Sequence, residues 1–205
     1  ERSVGKAIFE LINEGKISRD QIFISTKNAY ITNDADVKQE FSEYIQTEYT
    51  QKGVLKEGDV TSAYHCMTTT YLSDQLERSL RNLGLDCIDL LYLHNAVEGQ
   101  IKDVSKEKFL ENLASVFELY EQKRKDGLIK FYGMATWECF RVSSDNPQYL
   151  SLQDTVELAK NIGGENHGFR FIQLPFNMYY DQALLAKNQI LDGASVSVLE
   201  AAMKL

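Results

Sequence analysis

Four times along this chain a segment of helical periodicity is followed by a short apolar run that ends in a polar residue, and this alternation constrains the fold more than any other feature. Val4, Ala7, Ile8, Leu11 and Ile12 mark a first helix face that Gly15 stops, and Ile22-Phe23-Ile24-Ser25-Thr26 follows as a strand closed by Lys27. Leu72, Leu76, Leu80 and Leu83, stopped by Gly84, precede the run Ile88-Asp89-Leu90-Leu91-Tyr92-Leu93, which ends at His94. Phe109, Leu110, Leu113, Val116, Phe117 and Tyr120, with Ser105 as N-cap and Gly127 as stop, precede a strand from Leu128 to Met134 that Ala135 and Thr136 close. Leu152, Val156 and Ala159, with Ser151 and Asp154 as a capping pair, precede Phe169-Arg170-Phe171-Ile172, which ends at Gln173. Helices alternating with strands in this way imply right-handed crossovers and a parallel sheet of an α/β protein.

An open dinucleotide-binding sheet is disfavoured, because no Gly-x-Gly-x-x-Gly lies between a strand and a helix; Gly163-Gly164 precedes a strand and lacks the third glycine. In a (β/α)₈ barrel the active site is assembled at the C-terminal ends of the strands, where Lys27, His94, Thr136 and Gln173 all fall. A full barrel takes about 250 residues, so once the long insertion over residues 28–70 is removed this chain has room for about half of one. Residues 28–70 break the alternation as a long insertion. Val37, Phe41, Tyr44, Ile45 and Tyr49 predict one amphipathic helix there, Gly53 and Gly58 predict turns, and the tyrosines favour a packed lid over a loose loop.

The net charge of −8 argues against binding nucleic acid or an anionic membrane surface. No apolar run approaches the roughly 18 residues of a transmembrane helix, and the N-terminal residues form no signal peptide, so a cytoplasmic protein is expected. Cys66, Cys87 and Cys139 are odd in number and widely spaced, which predicts reduced thiols and no metal site; His65-Cys66 is not a metal pair at helical spacing, and Cys87 is expected in the core. The chain starts at Glu1 and stops at Leu205 within a helical pattern, which reads as an internal fragment forming a single incomplete barrel domain over 1–205.

The motifs resemble the aldo-keto reductases in order as well as in content. Ile24-Ser25-Thr26-Lys27 looks like the strand bearing that family's active-site lysine, and Leu91-Tyr92-Leu93-His94-Asn95 like the one bearing its histidine. The stretch from Gln75 to Leu90 resembles the family signature most closely, Gly127 to Gly133 resembles the next strand, and Phe171-Ile172-Gln173 the one with a cofactor-contacting glutamine. The resemblance implies a partial (β/α)₈ barrel whose first and last strands are missing. It also implies NADPH or NADP as cofactor and reversible reduction of a small carbonyl substrate. Lys27 and His94 would be catalytic, Thr136, Gln173 and Asn177 would contact the cofactor, and Trp137 and Asn95 would belong to the substrate pocket, Trp137 serving there or in packing. The tyrosine acid and its partner aspartate would lie upstream, leaving the isolated 205 residues inert, unstable or associating. One departure stands out: the family's Ser-Asn is Ala135-Thr136 here. That departure and the insertion keep open a regulatory barrel that binds nucleotide without turnover, as in potassium-channel β-subunits, and a lysine Schiff-base enzyme is a third class. Oligomeric state and the choice between NADP and NAD stay open.

Overall fold

The computed structural model describes residues 1–205. Four strands, β1 (Ser25–Asn28), β2 (Ile88–His94), β3 (Ile129–Ala135) and β4 (Phe169–Gln173), form one parallel sheet in the order β1-β2-β3-β4. Between them run α1 (Arg2–Asn13) before β1, α3 (Thr69–Leu83) before β2, α5 (Lys106–Lys125) before β3 and α6 (Leu152–Gly163) before β4. Each strand therefore pairs with its predecessor in the sequence, as repeated βα units require. Ser105 and Ser151 cap α5 and α6 by accepting from the amides of Lys108 and Asp154, and α3 ends at Gly84, as expected.

The sheet has two unlike faces. One carries Leu91, Leu93, Tyr132 and Met134 into a core of 36 buried residues shared with α3, α5 and α6, where Phe117 stacks on Phe169 and Tyr132 packs between Phe117 and Tyr120. The other buries only Leu90, Tyr92 and Ala135, with Phe131 and Phe171 packed against them. On that face Phe23 approaches Phe171 at 5.9 Å although they flank opposite edges of the sheet, so the sheet curls and this face is concave. The curl is that of a partial barrel. Gly133 sits where β3 bulges against β4, and a Cβ there would overlap the Phe171 carbonyl.

The strand-start ends are pinned by Asp89, whose side chain is almost fully buried. Its carboxylate accepts from the Ile24 amide at 2.8 Å and pairs with Arg19 at 2.7 Å and Lys130 at 2.6 Å. Burial alone would raise its pKa, yet these partners hold it below the usual carboxylate range.

Several expectations need correction. β1 begins at Ser25, not Ile22, because the Ile24 amide is taken by Asp89 rather than by a neighbouring strand; Phe23 is left exposed, and Lys27 lies inside the strand, one residue before its end. Cys87 is half-buried with a raised thiol pKa, not core. The helix of residues 28–70 is short, α2 (Phe41–Ile45) plus a π-turn at Gln46–Thr50, and Val37 stays outside it and exposed; Tyr44 and Tyr49 do pack into the core. Past β4 lie α7 (Gln182–Leu185), a hairpin of β5 (Gln189–Leu191) and β6 (Ala194–Val196), and α8 (Val198–Lys204). The hairpin turn is Asp192-Gly193 with φ of 51° and 80°, a residue pair whose left-handed backbone suits a tight hairpin. A further short helix, α4 (Ala96–Gln100), follows β2, and no helix is long and apolar enough to cross a membrane.

Gly133→Ala is expected to cost about 2–3 kcal/mol of stability, since the clash is with backbone; a denaturant titration of the full-length protein checks it, with a midpoint equal to wild type as the contrary result.

Candidate active site

Parallel registry decides which side chains share a face. Lys27 is aligned with Tyr92, Gly133 and Phe171, and one pleat further His94 is aligned with Ala135 and Gln173. Lys27, His94 and Gln173 therefore project from the concave face at its C-terminal end. They line a cleft of about 310 Å³ with Asn95, Thr136, Trp137, Leu174 and Pro175. A larger hollow of about 550 Å³ lies along the free edge of β1 and is lined by Tyr30, Asn33, Arg78 and Asn82 among others. Lys27 and His94 line both spaces and so form the wall between them.

The structure thus brings together six of the seven residues singled out. Lys27 is exposed and makes no ion pair. His94 is half-buried, and burial, followed by the charge of Lys27, holds its pKa below the ordinary value; Glu98 opposes them, and the ring is neutral at pH 7. Gln173 is exposed at the rim, and Trp137, 51% exposed, meets Tyr180 edge-on at 6.0 Å. Asn95 adopts a left-handed conformation, φ 46°, as it turns the chain from β2 into α4; its Oδ1 is buried without a partner, and its Nδ2 donates to the Tyr30 hydroxyl at 3.4 Å. Asn177 is the residue not brought in. It is exposed outside the cleft, and its Oδ1 accepts from the amides of Tyr179 and Tyr180 at 2.9 and 3.0 Å.

Two residues at this site gave no usable signal in the sequence. Glu98, on α4, reaches the loop after β3. Its Oε1 accepts from the Thr136 hydroxyl and from the amides of Trp137 at 2.9 Å and Glu138 at 2.7 Å, while its Oε2 is buried and unpaired. Thr136 also accepts from the Cys139 amide at 3.2 Å. The Thr136 hydroxyl hydrogen is therefore committed to the protein, and only oxygen lone-pair capacity is left for a ligand. His65 is fully buried, bonded to the His94 carbonyl and to Gln100 at 2.8 Å each. Burial pulls its pKa down to about 4. A lone histidine in a long irregular segment carries no spacing that would have marked it.

Chemically, the cleft offers an ammonium, a neutral imidazole and several amides on a curved, partly apolar wall. Such a set can polarise and orient a carbonyl oxygen and can bind a planar amide-bearing ring.

The family model described as "Aldo/keto reductase family" matches residues 1–146. No curated protein matches the sequence. Among solved structures, an aldo-keto reductase from Bacillus halodurans in its holo form is similar with 20% identity and a TM-score of 0.46, over 85% of this chain and 39% of that one. An aldo-keto reductase of the silkworm Bombyx mori is similar with 19% identity and a TM-score of 0.45, over 86% of this chain and 38% of that one. The silkworm enzyme has also been crystallised with NADPH, at 20% identity, a TM-score of 0.41 and coverage of 78% and 42%. The chain spans about two fifths of the length of these structures.

Removing the carboxylate with Glu98→Ala is expected to speed hydrogen exchange of the Trp137 and Glu138 amides about tenfold or more in the full-length protein, since each loses a charge-assisted bond; unchanged exchange would show that the loop holds itself. His65 resists protonation when folded, so its contribution to stability is complete above its ordinary value of 6.5 and is lost as pH falls toward 4. Stability should decline over that window by up to about 3 kcal/mol from this ring, and urea titrations of His65→Gln should show a shallower decline.

Proposed function

We propose, for a chain that belongs to the aldo/keto reductase family, that the intact protein reduces aldehydes or ketones to alcohols with NADPH and that the cleft at the ends of β1 to β4 is its active site. The observation that carries this reading is the meeting of Lys27, His94, Thr136 and Gln173 from four successive strands or strand ends in one concave cleft.

NADPH, when bound, supplies the hydride. The residues present fit its nicotinamide end: the buried Asn95 Oδ1 lacks a donor, and Gln173 and the Thr136 oxygen lie in the same cleft. Thr136 can only accept here, which suits the amino group of a carboxamide rather than its oxygen. Gln173 and Asn95 would bind the remainder. Asn177, committed to its turn, is the weakest of the cofactor contacts proposed.

His94 orients the substrate. As a neutral imidazole it donates one N–H to the carbonyl oxygen, and its lowered pKa keeps it in that form at pH 7. Lys27 places a positive charge beside the same space, where it favours the deprotonated form of the hydroxyl acid that gives its proton to the carbonyl oxygen. Trp137 and Pro175 provide an apolar wall for the carbonyl compound. Three unpaired thiols fit a cytoplasmic setting. A second reading, nucleotide binding without turnover, draws on the commitment of the Thr136 hydroxyl to Glu98.

His94→Ala is expected to lower kcat/KM for a small aldehyde about 10²-fold, and Lys27→Met at least as much, followed as consumption of reduced nicotinamide by the full-length protein. Turnover unchanged in both variants would refute the assignment; tight NADPH binding without turnover by the wild type would favour the regulatory reading.

A further inference from the structure

We infer that His65, carried by the 28–70 segment, is a positioning residue for His94, fixing the peptide at the end of β2 and through it the direction of the imidazole; this rests on the proposed carbonyl-orienting role of His94. The argument begins with what each atom can do. The His94 carbonyl can only accept, so the His65 Nε2 facing it at 2.8 Å carries the hydrogen and donates. In the neutral ring Nδ1 is then an acceptor, and Gln100 Nε2 donates to it at 2.8 Å. One tautomer satisfies both bonds.

The ring's seat is built from several elements. Tyr30 packs edge-on against His65 at 5.0 Å and against His94 at 5.2 Å, standing between the two imidazoles. Gly99 leaves the space that the ring fills, because a Cβ there would overlap it. Thr61 donates its hydroxyl hydrogen to the Gly99 carbonyl at 2.7 Å and its amide hydrogen to the His65 carbonyl at 2.9 Å, latching the segment onto α4. The two ends of the segment are zipped together, the Ile31 amide donating to the Tyr64 carbonyl and the Cys66 amide to the Ala29 carbonyl, at 2.9 Å each.

The peptide held this way precedes Asn95, whose left-handed backbone turns the chain out of the sheet. The amide hydrogen of this same peptide, on Asn95, goes to the Ala135 carbonyl on β3 at 2.6 Å, so the bond from His65 is the second of the two that fix it, and the His94 Cα that bears the imidazole stands at its head. The charged groups that act on the pair are Lys27 on β1, which disfavours the His94 imidazolium, and Glu98 on α4, which favours the protonated form of both rings. The segment therefore gives the adjoining hollow a wall, Tyr30, and the His94 peptide an anchor, His65.

The test compares His65→Leu, which has no donor, with His65→Gln, whose amide nitrogen reaches as far as Nε2, in full-length protein labelled with nitrogen-15 at histidine. Wild-type His65 should show a protonated Nε2 and a bare Nδ1 that persist to about pH 5. His65→Leu should shift the His94 ring resonances and lower kcat for the aldehyde about tenfold at unchanged KM for NADPH, and His65→Gln should restore both to within about twofold. Should His65→Leu not fold, His65→Asn, too short to reach the carbonyl, takes its place. His94 resonances and kcat unmoved in the donor-less variant, with only thermal stability lowered, would overturn the inference. Absence of turnover in the wild type would refute the reductase reading instead, and the His94 resonances would still decide the positioning.

Discussion

Everything at the cleft depends on the register of four parallel strands, and the feature that pins this register lies at the other end of the sheet. The buried carboxylate of Asp89 on β2 takes the amide of Ile24 ahead of β1, the Arg19 guanidinium and the Lys130 ammonium on β3. Three segments are thereby set against one another at their starts. A slip of one residue along β1 would exchange Lys27 for Asn28 on the concave face and turn the lysine toward the helices. A buried carboxylate without partners would be costly; with three, it works as a reference mark from which positions several residues away are measured.

The concave face shows what curvature adds to register. Side chains on the outer strands of a flat sheet diverge, but here Phe23 meets Phe171 and Lys27 lines the same cleft as Gln173. The close approach of β3 and β4 at Gly133 is part of that bend. From α4, which follows β2, Glu98 gathers the loop after β3 with one carboxylate oxygen. That contact gives the Thr136 hydroxyl a partner within the protein.

β2, β3, β4 and the helices that precede them were legible because each is long enough to show its period, and Lys27, His94, Thr136 and Gln173 followed from the polar residue ending each apolar run, while Asn95 and Trp137 rested on the family resemblance. β1 starts three residues later than its apolar run because the Ile24 amide is satisfied by a side chain from another strand, which no local pattern records. Val37 misled for a related reason: it continues the helical spacing of Phe41 and Tyr44, but the chain there turns on Asp34, whose carboxylate accepts from the Asp36 amide. Glu98 and His65 were illegible because their roles exist only once a loop and a helix meet. Asp192-Gly193 is legible by its turn chemistry alone, independent of the strand and helix alternation.

The strand order, identical to the order along the chain, has a consequence for biosynthesis. As the polypeptide leaves the ribosome, each of β2, β3 and β4 emerges to find a neighbouring strand already made. The segment bearing Tyr30 and His65 is completed before β2 appears, so the seat for the His94 peptide exists, at least in its covalent parts, before His94 itself is synthesised. A truncated nascent chain would thus acquire its chemistry from one edge inward, with the cleft closing only when Gln173 arrives.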